Sequence, residues 1–192
     1  MRAMRLAALF CLLGSLAVAA EPGLKDFQGR PLGTPGESDR AATAVFFVMS
    51  DCPISNVFAP EINRICDDYE GRDVQCYLAY VDPELTPEQI DEHRTDYGHR
   101  RPVIHDREQE LVRRAGATIT PEVAVFDRSG EIAYLGRINN FYAKLGVPRR
   151  RATVHDLRDA LDALTAGRRV ETARTEAVGC YIPDLSAYKD SQ

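Results

Sequence analysis

The sequence contains no uncharged run long enough to cross a membrane. Its longest, Leu6 to Ala20, falls short of the ~20 apolar residues a spanning helix requires, so stable membrane insertion is not expected. Basic residues are in the minority, with 24 Lys and Arg against 29 Asp and Glu and a net charge of −5. A nucleic-acid partner would need a basic surface, so none is expected. No Cys-x-x-Cys pair occurs among the five cysteines, which excludes a fast disulfide between two thiols on one helical turn. The 192 residues are too few to favour a second core, and one full domain is expected.

What is present begins with a leader pattern. Arg2 and Arg5 precede the apolar run, and Ala17-Val18-Ala19-Ala20 supplies small residues for cleavage, so residues 1–20 read as a secretory signal. The expected location is therefore exported, periplasmic or extracellular. Removing this segment leaves 22 basic against 29 acidic residues, a balance of −7, and four cysteines: Cys52, Cys66, Cys76 and Cys180. In a compartment where disulfides persist, four cysteines allow three pairings, and the spacing alone does not choose among them.

The most informative local feature is the run Ala44-Val45-Phe46-Phe47-Val48-Met49 followed by Ser50-Asp51-Cys52-Pro53-Ile54-Ser55. A buried strand there gives way to a helix, with Cys52 at its mouth. Unpaired backbone N–H groups and the positive end of the helix dipole favour a thiolate, which predicts a reactive sulfur. Asp51 opposes that shift by placing a negative charge next door.

Residues 21–43 are rich in Gly, Pro and charge and read as an irregular lead-in with room for an edge hairpin. Apolar residues at Phe58, Ile62, Ile65 and Tyr69 have helical spacing and predict a helix from about Ile54 to Tyr69, with Pro60 tolerated if it falls in the first turn. Val74 to Val81 reads as a buried strand, Thr86-Pro87-Glu88 as the start of a helix ending near Gly98, Pro102 to Asp106 as a short strand, and Glu108 to Arg114 as a helix ending at Gly116. Glu122 to Phe126 and Ile132 to Arg137 predict a hairpin across Asp127-Arg128-Ser129-Gly130. A final helix spans Val154 to Leu164. This order predicts a three-layer α/β/α sandwich with a mixed central sheet over residues 44–167, followed by a tail, 168–192, that carries Cys180.

With strand-Cys52-Pro53-x-Ser55-helix followed by Thr120-Pro121 before a later strand, the chain resembles the thioredoxin-like superfamily, and within it the redoxin branch of alkyl hydroperoxide reductase and thiol-specific antioxidant type. The resemblance covers about Asp26 to Gly167. It implies a cis-proline at Pro121 beside the active cysteine, with Pro53, Ser55, Thr120 and Pro121 shaping a groove for extended substrate. It implies Cys52 as nucleophile in thiol–disulfide exchange with protein thiols or disulfides, or in slow peroxide reduction, with no organic cofactor and with a protein reductant as a further partner. Ser55 stands where a second thiol would complete Cys-x-x-Cys, and Val45 and Met49 stand where peroxidases carry a proline and a threonine. Resolution must then come from elsewhere, and the resemblance points to Cys180 in Val178-Gly179-Cys180, with Cys66 and Cys76 as packing residues.

Bland readings accompany these. Ser55 equally suits a first helical turn. Arg149-Arg150-Arg151 reads as a solvated helix lead-in, His93 and His155 as solvated helix residues, His99 as part of a basic loop, and Arg137 as a thiolate stabiliser only if the fold brings it close. Two rival classes use the same residues: a copper-binding module, in which Cys52 would need Cys180, His99 or His105 because position 56 is Asn56, and a non-catalytic interaction domain with a permanent Cys52–Cys180 bridge. No resident metal is expected under the main reading.

Overall fold

The computed structural model describes residues 26–32 and 40–185. The leader expected over residues 1–20 lies outside the described residues, as do parts of the lead-in and the last seven residues of the tail.

Strand β1 (Ala42–Val48) is buried at every position, because it is the middle of a five-stranded sheet. The other strands are β2 (Val74–Tyr80), β3 (Val103–His105), β5 (Glu122–Asp127) and β6 (Ile132–Gly136), and the order is β3-β2-β1-β5-β6. β1 runs parallel to β2 and β2 to β3, whereas β5 is antiparallel to both β1 and β6. Ala44, Phe46 and Val48 face one core with helices α1 (Pro53–Glu70) and α4 (Asp156–Thr165). Val45 and Phe47 face a second core with helix α3 (Glu110–Ala115). Burying a phenylalanine side chain contributes about 1.5–3 kcal/mol, so Phe46 and Phe47, one on each face, pin the strand between both layers. The expected three-layer sandwich with a mixed sheet is the observed architecture.

Helix α1 continues through Pro60, well beyond the first turn to which the sequence reading confines it. Proline forfeits one helical hydrogen bond. Here the apolar face on either side of it, Phe58 and Ala59 before and Ile62 and Ile65 after, is buried against the sheet and holds the helix together. Helix α2 (Pro87–Asp96) starts as its sequence predicts, with Thr86 and Gln89 forming a reciprocal capping box and Pro87 in the first turn. The lead-in forms no hairpin among the described residues. Asp26 instead makes a single antiparallel bridge to Ile104 at the sheet edge, and the Phe27 amide donates to the Val103 carbonyl at 3.1 Å.

Four short strands have no counterpart in the sequence reading. β7 (Tyr142–Lys144) and β8 (Val147–Pro148) form a small hairpin between β6 and α4. β4 (Ile119–Thr120) lies immediately before a cis Thr120–Pro121 peptide bond, and it pairs antiparallel with β9 (Cys180–Tyr181). The tail therefore crosses back over the sheet. On the way, Thr175 locks onto β6: its amide donates to the Leu135 carbonyl at 3.1 Å, and its hydroxyl meets the Tyr134 hydroxyl at 2.6 Å. Gly136 permits this approach, since a Cβ there would lie 2.2 Å from the Thr175 hydroxyl.

Candidate active site

Cys52 caps α1 with an extended backbone, φ −85° and ψ 107°, and its sulfur accepts from the Ser55 amide at 3.5 Å. Pro53 follows as the first helical residue, where its missing N–H costs nothing. Cys52 is only 1% exposed, so its reactivity depends on what covers it. On one side is Thr120, fully buried, whose carbonyl accepts from the Cys52 thiol at 3.1 Å. On the other side the tail sets Cys180 in register with Thr120.

Burial pushes the Cys52 thiol up, but the polar groups around its sulfur, Cys180 first among them and then Ser55 and Thr120, outweigh it and hold it below its ordinary value. The Ser55 hydroxyl is buried and has no hydrogen-bond partner. A thiolate at Cys52 would offer it an acceptor. The Cys180 thiol moves the opposite way, pushed up to about 12 by burial, by its hydrogen bond to Cys52 and by the charges of Cys52 and Asp51. The two thiols are thus shifted in opposite directions, Cys52 toward easier and Cys180 toward harder ionisation.

The tail is fixed over the site by backbone contacts. Thr120 registers with Cys180 and Ile119 with Tyr181. The Ile182 amide donates to the Thr118 carbonyl at 3.0 Å, and the Thr120 hydroxyl donates to the Cys180 carbonyl at 3.5 Å. Two residues that the sequence reading does not single out support this edge. Glu122, 5% exposed, accepts from the Thr118 and Ile119 amides at 2.9 and 3.4 Å and so shapes the segment leading into Thr120. Gln109 donates to the carbonyls of Val81 and Pro183, tying the end of the tail to the sheet. A lone acidic residue after Pro121, at the head of Val-Ala-Val-Phe, is the one sequence signal that marks Glu122.

The structure brings together Cys52, Pro53, Ser55, Thr120, Pro121 and Cys180, and keeps Arg137 away. Its guanidinium is paired with Asp156 at 2.7 Å rather than with the thiolate. Cys66 and Cys76 form a second thiol contact inside the core, where burial and the Cys76 thiol push Cys66 upward. The histidines considered as metal partners have other neighbours. His105 Nε2 lies 2.8 Å from the Asp82 carbonyl. Asn56, in the position where a second ligating thiol would stand, holds the Ser50 carbonyl at 3.0 Å and His93 Nε2 at 3.0 Å. Among the described residues no three His, Cys, Asp or Glu side chains converge as a metal site.

His93 and His99 correct the sequence reading. His93 is half-buried, with Nδ1 2.8 Å from the Tyr80 hydroxyl, and His99 is only 4% exposed, with its ring 6.1 Å from that of His93. Burial, and secondarily the His93 charge, push His99 down to about 4. A folded value below the unfolded one, about 6.5, contributes stability that is complete above that pH and is lost as pH falls toward 4. The expected loss is about 3 kcal/mol between pH 6.5 and 4. Urea midpoints measured across that window should fall with acidity in the parent protein and fall less in His99→Phe.

No family model and no curated protein matches the sequence. Solved structures do. A hypothetical protein from Sinorhizobium meliloti is 27% identical over 85% of this chain and 91% of its own, with a TM-score of 0.72. An uncharacterized conserved protein from Geobacillus kaustophilus is 27% identical over 84% of this chain and 87% of its own, with a TM-score of 0.71. A secreted Mycobacterium tuberculosis disulfide oxidoreductase homologous to Escherichia coli DsbE shares 14% identity over 75% of this chain and 93% of its own, with a TM-score of 0.51. The last comparison shows a shared fold. The chain has a mixed α/β architecture of thioredoxin-like type.

Proposed function

We propose that this chain is an exported thiol–disulfide oxidoreductase of the redoxin type, with Cys52 as nucleophile and Cys180 as the thiol that resolves its mixed disulfides. The observation that carries the reading is the placement of Cys180 in register with Thr120, the residue whose carbonyl accepts from the Cys52 thiol. The surroundings lower the Cys52 thiol and raise that of Cys180, which the tail strand carries to the same place. Such a pair supplies what the missing Cys-x-x-Cys withholds. The Cys52 thiolate attacks a protein disulfide, displaces one of its sulfurs as a thiolate and forms a mixed disulfide. Cys180 then attacks the Cys52 sulfur and releases the second substrate sulfur. Two electrons pass to the substrate, and a protein reductant restores the dithiol.

Peroxide is the lesser substrate in this reading. The groups around the Cys52 sulfur are a thiol, a hydroxyl and backbone atoms, and Arg137, the cation weighed for this task, is committed to Asp156. Export is supported by the leader pattern at Arg2, Arg5 and Leu6 to Ala20.

The test is to treat the reduced full chain with oxidised glutathione. The expected result is release of reduced glutathione, loss of two hydrogens from the protein mass and a peptide map joining Cys52 to Cys180. A map joining Cys66 to Cys76 with Cys180 free, or no change in any thiol, would overturn the reading.

A further inference from the structure

The tail strand is a resident occupant of a seat that any disulfide must use to reach Cys52. With the Cys52 sulfur enclosed by the Thr120 carbonyl, the Ser55 amide and the Cys180 thiol, a second sulfur arrives where Cys180 now lies. A segment delivering it there lies against Thr118 and Thr120, since the tail supplies the Thr118 carbonyl with the Ile182 amide and sets Cys180 in register with Thr120, while Glu122 holds the Thr118 and Ile119 amides. Removing the tail leaves the Thr118 carbonyl without that donor. An incoming strand that takes its place restores it.

The fit of this seat is unequal on the two sides of the cysteine. Tyr181, the residue after Cys180, is 82% exposed. Gly179, the residue before it, is pressed against the loop: a Cβ there would lie 2.0 Å from the Thr120 carbonyl oxygen, 2.7 Å from its carbon and 2.9 Å from the Ile119 side chain. Two of these three atoms are backbone, in a segment held by the Glu122 carboxylate through the Thr118 and Ile119 amides. The clash is with a fixed wall rather than a mobile side chain.

We infer that the substrate seat takes an extended chain segment with glycine directly before its disulfide-bonded cysteine, tolerates any residue after it, and is filled at rest by the chain's own Gly179-Cys180. This rests on the redox reading above and adds its substrate class. Exchange then couples to strand exchange. The segment displaces the tail, its cysteine sulfur bonds to Cys52, and the partner sulfur leaves as a thiolate. The returning tail carries Cys180 to the Cys52 sulfur, forms the intramolecular disulfide and expels the segment as a free thiol.

The experiment uses the reduced full chain and pentapeptides Val-Gly-Cys-Tyr-Ile whose cysteine is joined to thionitrobenzoate. Release of the coloured thiolate is timed and divided by the rate of each peptide with glutathione. The glycine peptide should react about tenfold faster than its alanine counterpart, and replacing tyrosine by lysine should leave the rate unchanged. An alanine peptide as fast as the glycine peptide would overturn the seat. The symmetrical thionitrobenzoate disulfide, which has no strand to dock, separates the two claims: if it too fails to react with Cys52, the redox reading falls as well. As an independent measurement, Gly179→Ala should push the tail off and speed alkylation of Cys180; an unchanged alkylation rate would also overturn the proposal.

Discussion

Replacing Cys52 by serine is expected to lower the rate of exchange with oxidised glutathione by about a thousandfold or more, with the fold unchanged. The reason lies in which atom carries charge near neutral pH. A serine hydroxyl in the same place stays protonated, whereas the Cys52 thiol is held below its ordinary value by the polar groups around its sulfur, Cys180 first among them, against the opposing effect of burial. The remaining thiols do not substitute for it. Cys180 is held at about 12 and Cys66 is pushed upward inside the core, so neither offers much thiolate. Circular dichroism of the variant should match the parent, since serine is close in volume and keeps the capping role at the head of α1. Exchange that persists within tenfold of the parent would assign the nucleophile to another sulfur.

The part of this site legible in the sequence is the part built from neighbours along the chain. A buried strand, a cysteine, a proline and a helical pattern follow one another without interruption, and that order alone fixes Cys52 at a helix N-terminus. The same holds for the capping box at Thr86 and for the hairpin turn at Asp127, both local in origin. Of what depends on distant partners, the cis bond at Pro121 and the return of the tail with Cys180 are anticipated only through the family resemblance, and the rest is not legible. Gly179 looks like an ordinary flexible residue until Thr120, 59 positions earlier, is brought against it. Glu122 reads as a strand residue and proves to be a buried carboxylate bonded to two amides of the preceding segment. His93 has helical spacing suited to solvent, yet its ring is gripped between Tyr80 and Asn56, because α2 packs toward the end of β2 where those side chains converge. Pro60 shows the reverse case, a local rule overridden by tertiary packing on both sides of it.

Replacing Cys180 by alanine should leave the first attack intact and stop the cycle after it. Cys52 remains at its helix, so the mixed disulfide with glutathione still forms and should accumulate as a stable adduct visible in the intact mass. Its resolution then depends on a second glutathione molecule from solution. A thiol positioned on the same chain has an effective concentration of about 10⁵ M or more when well oriented, against millimolar external thiol, so turnover should fall by about a thousandfold or more even after a generous allowance for tail motion. The same variant removes the largest of the hydrogen-bond effects that lower the Cys52 thiol. Its alkylation rate plotted against pH should therefore rise at higher pH than in the parent. Cys180→Ser, which restores a donor but no second sulfur, should recover much of that pH shift and none of the turnover. An alanine variant that turns over normally, or whose alkylation profile matches the parent, would deny Cys180 both roles at once, because resolution and thiolate stabilisation rest on the same placement of Cys180 across β4 and β9.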